Sequence, residues 1–307
     1  MRLTAQKLSA ALEKYGTDDQ TLIRELVKLD PLQIAALRKV YTSRLKGDLE
    51  KDIHHKTSGD YKDALLAIAQ GPLLHDAHCI QRAIKGAGTN ERMLNDALIG
   101  RSNADMRAIK AAYQQTFGKD MEAEVTNDLS MKTKDHFKKI MSATRNEEST
   151  PVYPQQTEQD VNALRGATEG RAGTDELMVY EMMTQRSDGQ IRAIAQQYQH
   201  RFQTSLEKLI QKEFSGHMKE ALLLQLARAT DRAMSDTVQL EEAMKGAGTK
   251  DELLIQRVVR LHWNRQHLDQ VKRAYAHRFK TPADGLMKRV RGETSGNYKR
   301  LMLACLE

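Results

Sequence analysis

A glycine–threonine element recurs four times along this chain, and a repeat of that kind fixes the architecture before any single motif is read. Residues 85–91 read Lys-Gly-Ala-Gly-Thr-Asn-Glu, and residues 245–251 read Lys-Gly-Ala-Gly-Thr-Lys-Asp. Residues 171–176 read Arg-Ala-Gly-Thr-Asp-Glu, and residues 14–19 read Lys-Tyr-Gly-Thr-Asp-Asp. A second element follows: Thr57-Ser58-Gly59-Asp60-Tyr61-Lys62, Ser215-Gly216-His217-Met218-Lys219 and Thr294-Ser295-Gly296-Asn297-Tyr298-Lys299, with a weaker copy at Asp128-Leu129-Ser130-Met131. Gly16, Gly88, Gly173 and Gly248 stand 72, 85 and 75 residues apart. The long middle step holds a polar stretch with two prolines, Pro151 and Pro154, which reads as a linker. Four units are therefore expected, at residues 1–71, 72–145, 158–230 and 231–307, paired two and two across a linker at 146–157.

Within the units, apolar residues return at helical spacing, as in Leu22, Leu26 and Leu29 or Ile109, Ala112 and Tyr113. Helix formers dominate. Aromatics make up only 5% of the chain, and strand-favouring residues are sparse. The prediction is an all-α fold with four or five short helices per unit. Met178, Met182 and Met183 are expected to fill its core.

Cys79 and Cys305, the two cysteines, are too few for a disulfide framework. No apolar run approaches the roughly 20 residues that span a bilayer, and the N-terminus turns polar at once, unlike a secretory signal. The expected setting is cytoplasmic, with any membrane met from outside the bilayer. A net charge of +7 suits either anionic partners or plain solubility. The basic residues are spread along the chain, which argues against a specific nucleic-acid site. No zinc-protease, phosphate-loop, nucleophile-elbow or dinucleotide motif is present, so no enzyme is predicted.

The Gly-Thr loop has two readings. Structurally, a glycine ends one helix in the left-handed region and the threonine caps the next. Chemically, a glycine-rich turn lets backbone carbonyls converge on a hard cation such as calcium, which takes about 6–8 oxygen ligands. A distant acid separates the readings. Asp128 lies 40 residues after Gly88, Glu213 lies 40 after Gly173, and Glu293 lies 45 after Gly248. In the first unit Lys14 replaces the loop glycine and Lys56 replaces the acid, so both halves of the site are lost together. That joint loss favours metal.

At these residues the chain resembles the annexin family, over essentially its whole length. The resemblance implies a curved disc of four five-helix repeats that uses Ca2+ to bind acidic, phosphatidylserine-type phospholipid at the cytoplasmic face of membranes, reversibly. It implies carbonyl ligands at Ile84, Gly86 and Gly88 with the carboxylate of Asp128, and at Met244, Gly246 and Gly248 with Glu293. In the third repeat, whose loop is longer, the set is Thr168, Arg171 and Gly173 with Glu213. Weaker sites are implied at Thr17 with Asp19, Thr89 with Glu91, Thr174 with Glu176 and Thr249 with Asp251, although helix capping also explains these acids. Lys14 and Lys56 are candidates for direct lipid contact. The N-terminal tail is nearly absent, the first helix being expected by about Thr4. A monomer in solution that can assemble on membranes is expected. The competing reading is a scaffold that binds cytoskeleton or another polyanion through its basic surface without calcium.

Overall fold

The computed structural model describes residues 1–13, 16–86, 88–168, 173 and 175–307, with the side chain of residue 131 left aside. Among the described residues there are twenty helices and no strand. The first repeat holds α1 (Arg2–Glu13), α2 (Asp19–Val27), α3 (Pro31–Leu45), α4 (Leu49–Lys56) and α5 (Gly59–Gln70). The second holds α6 (Pro72–Ile84), α7 (Glu91–Leu98), α8 (Asn103–Phe117), α9 (Met121–Asp128) and α10 (Met131–Met141). The third holds α11 (Pro154–Thr168), α12 (Glu176–Gln185), α13 (Asp188–Phe202), α14 (Leu206–Glu213) and α15 (Gly216–Thr230). The fourth holds α16 (Arg232–Met244), α17 (Asp251–His262), α18 (Arg265–Phe279), α19 (Gly285–Glu293) and α20 (Gly296–Leu306). No helix among them is long and apolar enough to cross a membrane.

The repeats share their local chemistry. The third helix of each carries one buried tyrosine: Tyr41, Tyr113, Tyr198 and Tyr275. Three of these hydroxyls donate to a neighbouring helix, to Asp52 at 2.7 Å, Gln81 at 2.6 Å and Glu241 at 2.7 Å. An apolar ring is buried at each of these places, and its polar end is satisfied. Each of these helices then stops on a left-handed residue, Lys46, Gly118, Gln203 or Lys280. The third repeat shows how the core is filled: Val161, Leu164, Val179, Ile210 and Leu222 pack together. Met182 and Met183 lie in the same cluster with Met178 against its edge, as the methionine spacing predicts.

Compactness does not follow chain order. One unit comprises residues 1–78 with 236–307, and the other comprises residues 79–235. In the first, α5 packs on α17 and α20; in the second, α10 packs on α12 and α15. The pairing across the linker inferred from sequence is thus corrected: the second repeat partners the third, and the linker runs inside their unit. It is also held firmly. Arg145 pairs with Asp188 at 2.7 Å, Asn103 donates to Glu147 at 2.7 Å, and the Asn146 amide donates to the Gln185 carbonyl at 2.7 Å. Polar residues that read as a linker are used as partners for the flanking helices.

Candidate cation sites in the interhelical loops

One backbone hydrogen bond closes the loop after the first helix of every repeat. The amide just past the threonine returns to that helix: Asp18 to Ala11 at 3.0 Å, Asn90 to Ala83 at 2.7 Å, Asp175 to Ala167 at 2.8 Å and Lys250 to Ala243 at 2.8 Å. The third clasp spans one residue more than the others. Thr17, Thr89 and Thr249 do not cap the next helix, which corrects the structural reading of the motif. The caps are the following residues, Asp18, Asn90 and Asp175, each accepting from a backbone amide of the first turn. Lys250 has no acceptor and gives no side-chain cap.

Gly88 and Gly248 both sit at φ 89°, and Gly173 at 88°. A Cβ on Gly88 or Gly248 would meet no atom within 4 Å. The backbone torsion therefore demands glycine at these positions, and the space in front of the loop is open.

Asp128, Glu213 and Glu293 are the final residues of α9, α14 and α19. A carboxylate at a helix C-terminus opposes the helix dipole, typically by about 0.3–1 kcal/mol. Lys56, last in α4, has the favourable sign and is exposed. The acids thus work against their local helices, and what they gain lies across the loop. Thr89 Oγ1 donates to Asp128 Oδ2 at 2.5 Å, and Thr249 Oγ1 donates to Glu293 Oε2 at 2.6 Å. Residues 39 and 44 apart in sequence are joined directly. Without a distant acid in the first repeat, Thr17 donates instead to Asp19 at 2.6 Å.

The change from glycine to Met131 in the second repeat alters the entry to α10. Ser130 sits at φ −69°, against −145°, −137° and −139° for Ser58, Ser215 and Ser295. The Thr89–Asp128 contact persists nonetheless. In the third repeat Arg171 and Thr174 lie outside the described residues, as does Lys14 in the first. Thr168 is the last residue of α11 and buried, and Glu213 lies 3.0 Å from Lys212.

The fourth repeat contains a cation of its own. Arg289 Nη1 donates to Glu293 Oε1, while its Nη2 donates to the Met244 carbonyl at 2.5 Å. These are two of the oxygens expected to hold calcium, and here they converge on one positive group. The hydrogen bond from Thr249, with help from Arg289 and against the cost of burial, holds the Glu293 carboxyl below its usual range. Among the described residues no three His, Cys, Asp or Glu side chains gather around a common point. A cation at these loops would rest on one carboxylate and several carbonyls, a donor set of hard oxygens that suits calcium. Sequence reading did not single out Arg289. Its signal was available, because Glu124 and Leu209 occupy the same place, four residues before the acid, in the second and third repeats.

The acids of the weaker candidate sites have other neighbours. Asp19 accepts from Asn297 at 2.5 Å, Glu91 lies 3.7 Å from His217, and Glu176 pairs with Lys132 at 2.9 Å. Asn297, His217 and Lys132 occupy one equivalent position, just after the glycine or Met131 of the second element. The three contacts therefore stitch partner repeats together. The Thr89 carbonyl accepts the Glu91 amide at 3.0 Å. Burial, then the charges of Asp60 and Glu293, push the Asp251 carboxyl up.

A protein-family model described as Annexin matches residues 4–68, 75–143, 159–224 and 235–305. Annexin C1 of Cryptococcus neoformans var. grubii is 35% identical across the whole of this chain, which spans 65% of that protein's length. Annexin A13 of Mus musculus is 34% identical over 98% of this chain and 93% of its own. The solved structure of chicken annexin V superposes with a TM-score of 0.85 at 26% identity, covering 99% of this chain and 95% of that one.

Proposed function

This chain belongs to the annexin family, and on that premise we propose that it binds acidic phospholipid surfaces through calcium held in the loops of its second, third and fourth repeats. The observation that carries the reading is the direct contact of loop threonine and distant acid, Thr89 with Asp128 and Thr249 with Glu293. The first repeat, which has Lys56 in place of the acid, folds its threonine back locally. The residues that would hold calcium are the carbonyls of Ile84, Gly86 and Gly88 with Asp128, and of Met244, Gly246 and Gly248 with Glu293. In the third repeat they are the carbonyls of Thr168, Arg171 and Gly173 with Glu213.

Bound calcium supplies positive charge to which phosphate or carboxylate oxygens of a lipid surface add as further ligands. The chain's own contribution is to present several such loops on one polypeptide. Modest affinities then combine through effective concentration. The acids at 19, 91 and 176 stand outside this set, since their contacts serve packing between repeats. Four functional repeats, at 1–71, 72–145, 158–230 and 231–307, act as a monomer in solution and reach the cytoplasmic face of membranes reversibly.

Co-sedimentation with phosphatidylserine vesicles tests this, with calcium or excess chelator and at two salt concentrations. Binding is expected only with calcium. Asp128→Asn, Glu213→Gln or Glu293→Gln should each raise the calcium required, on the order of tenfold for the site affected, because ligand charge sets calcium affinity. Lys56→Gln should leave it unchanged. Binding that survives chelator and weakens steeply with salt would favour the basic surface, and with it the polyanion or cytoskeletal scaffold.

A further inference from the structure

The fourth repeat differs from the others in the cation it already contains. Arg289 lies on α19 four residues before Glu293, so the two side chains share a helix face. Its planar guanidinium offers five donors in a fixed fork and can hold several oxygens at once. It uses them on Glu293, on the Met244 carbonyl at 2.5 Å, and on both oxygens of Glu241 at 3.3 Å from Nε. Glu241 is on α16 and is itself held by the Tyr275 hydroxyl at 2.7 Å. One guanidinium therefore bridges an acid inside the calcium loop and an acid behind it.

We propose that Arg289 is a resident counter-ion of the fourth-repeat loop, a built-in competitor that calcium must displace before that loop can engage a lipid surface. The proposal rests on the calcium reading above. A divalent ion seated on Glu293 and the Met244 carbonyl would repel a guanidinium held on the same two groups, so each disfavours the other. Displacement is within reach, because the Arg289 and Glu293 side chains are 31% and 21% exposed and pairs of that kind are weak. The displaced guanidinium also keeps Glu241 as a partner. No arginine fork stands at the equivalent position in the second and third repeats: Glu124 pairs with Lys119 at 2.7 Å, and Leu209 is buried in the core, although Lys212 lies 3.0 Å from Glu213. The second loop thus responds before the fourth as calcium rises. The fourth joins only at higher calcium, which grades the attachment.

The test uses the full chain carrying Asp128→Asn and Glu213→Gln, so that the fourth repeat reports alone, with calcium binding followed by calorimetry without lipid. Adding Arg289→Gln should lower the half-saturating calcium about fivefold to tenfold, the size of one partly exposed charge-assisted pair. Glu241→Gln should raise it, because the guanidinium then depends on Glu293 alone. Arg291→Gln, an exposed charge on the same helix, should move it less than about twofold. A parallel melting series should show Arg289→Gln stabilised by calcium at lower concentrations than the parent. Should that variant fold poorly, Arg289→Lys keeps the charge without the fork and should fall between the two. An Arg289 variant with unchanged or raised calcium demand, while Glu293→Gln still abolishes binding, would overturn the competitor and leave a structural ion pair. Absence of any Glu293-dependent calcium binding, in every variant, would defeat the calcium reading of this loop itself.

Discussion

Arg228→Ala is expected to cost about 3–5 kcal/mol of stability, the range for removing one partner of a buried ion pair. Arg228 on α15 meets Asp96 on α7 at 3.0 Å, and their side chains are only 5% and 1% exposed. Its second nitrogen donates to the Ile99 carbonyl at 2.6 Å. Truncation leaves a buried carboxylate and a buried carbonyl without these donors. The stem also passes over Gly100, where a Cβ would stand 3.2 Å from Arg228 Cδ, so packing is lost with charge. Urea unfolding followed by circular dichroism checks this, and the midpoint of thermal unfolding should fall by about 10 °C. The double variant Arg228→Met with Asp96→Leu should lose far less, since neither charge is left buried alone. A loss below about 1 kcal/mol in the single variant would show that the pair contributes no more than a surface contact.

Mild acid is expected to weaken the same compact unit by a comparable amount. His136 on α10 is fully buried with neither ring nitrogen hydrogen-bonded, and His217 on α15 is buried beside Phe137. Burial, then the charge of His217, pushes His136 down to about 3, and burial pushes His217 down to about 4. Above the ordinary histidine value near 6.5 both states are neutral and stability does not vary with these groups. As pH falls from 6.5 towards 3–4, the unfolded chain takes up protons that the folded one refuses, so stability falls. At pH 5 this amounts to about 2 kcal/mol for each histidine, or about 4 kcal/mol for the two. His136→Leu should flatten about half of that slope in urea titrations at pH 7.5 and 5. It should also remove the unsatisfied ring nitrogens at neutral pH. An unchanged slope would place the acid sensitivity elsewhere, with His262 on α17, pushed down to about 4 mainly by burial, as the next candidate.

The repeat and its loop were readable because they are written at fixed spacing. Four Gly-Thr elements and three acids at 40, 40 and 45 residues locate the loops, and the compensating pair Lys14 and Lys56 locates the loop that lost its acid. The unreadable parts depend on contacts that no spacing encodes. Repeat one partners repeat four through such pairs as Asp19 with Asn297, and repeat two partners repeat three through Asp96 with Arg228. Each is an ordinary polar residue until its neighbour is known. The capping alternative for the threonine fails for a related reason. A hydroxyl before a helix is normally a cap, but in the second repeat Asn90 caps and frees the Thr89 hydroxyl for Asp128, and in the fourth the Thr249 hydroxyl turns to Glu293 with no side-chain cap beside it. Arg289 is not marked by any spacing, because its role is set by a carbonyl 45 residues away.

The division of the chain into residues 79–235 and the two outer segments also sets an order of events during synthesis. The inner unit is contiguous, and all of its packing partners have left the ribosome once its last helix has. The outer unit is not: residues 1–78 are made before the inner unit, yet α2 and α5 find part of their packing in residues 236–307. At about 5–20 residues per second, the newborn first repeat waits roughly 10–50 s for the fourth, with the faces of α2 and α5 that later meet α17 and α20 uncovered. The outer unit is therefore the part of the molecule with the greater need of a chaperone.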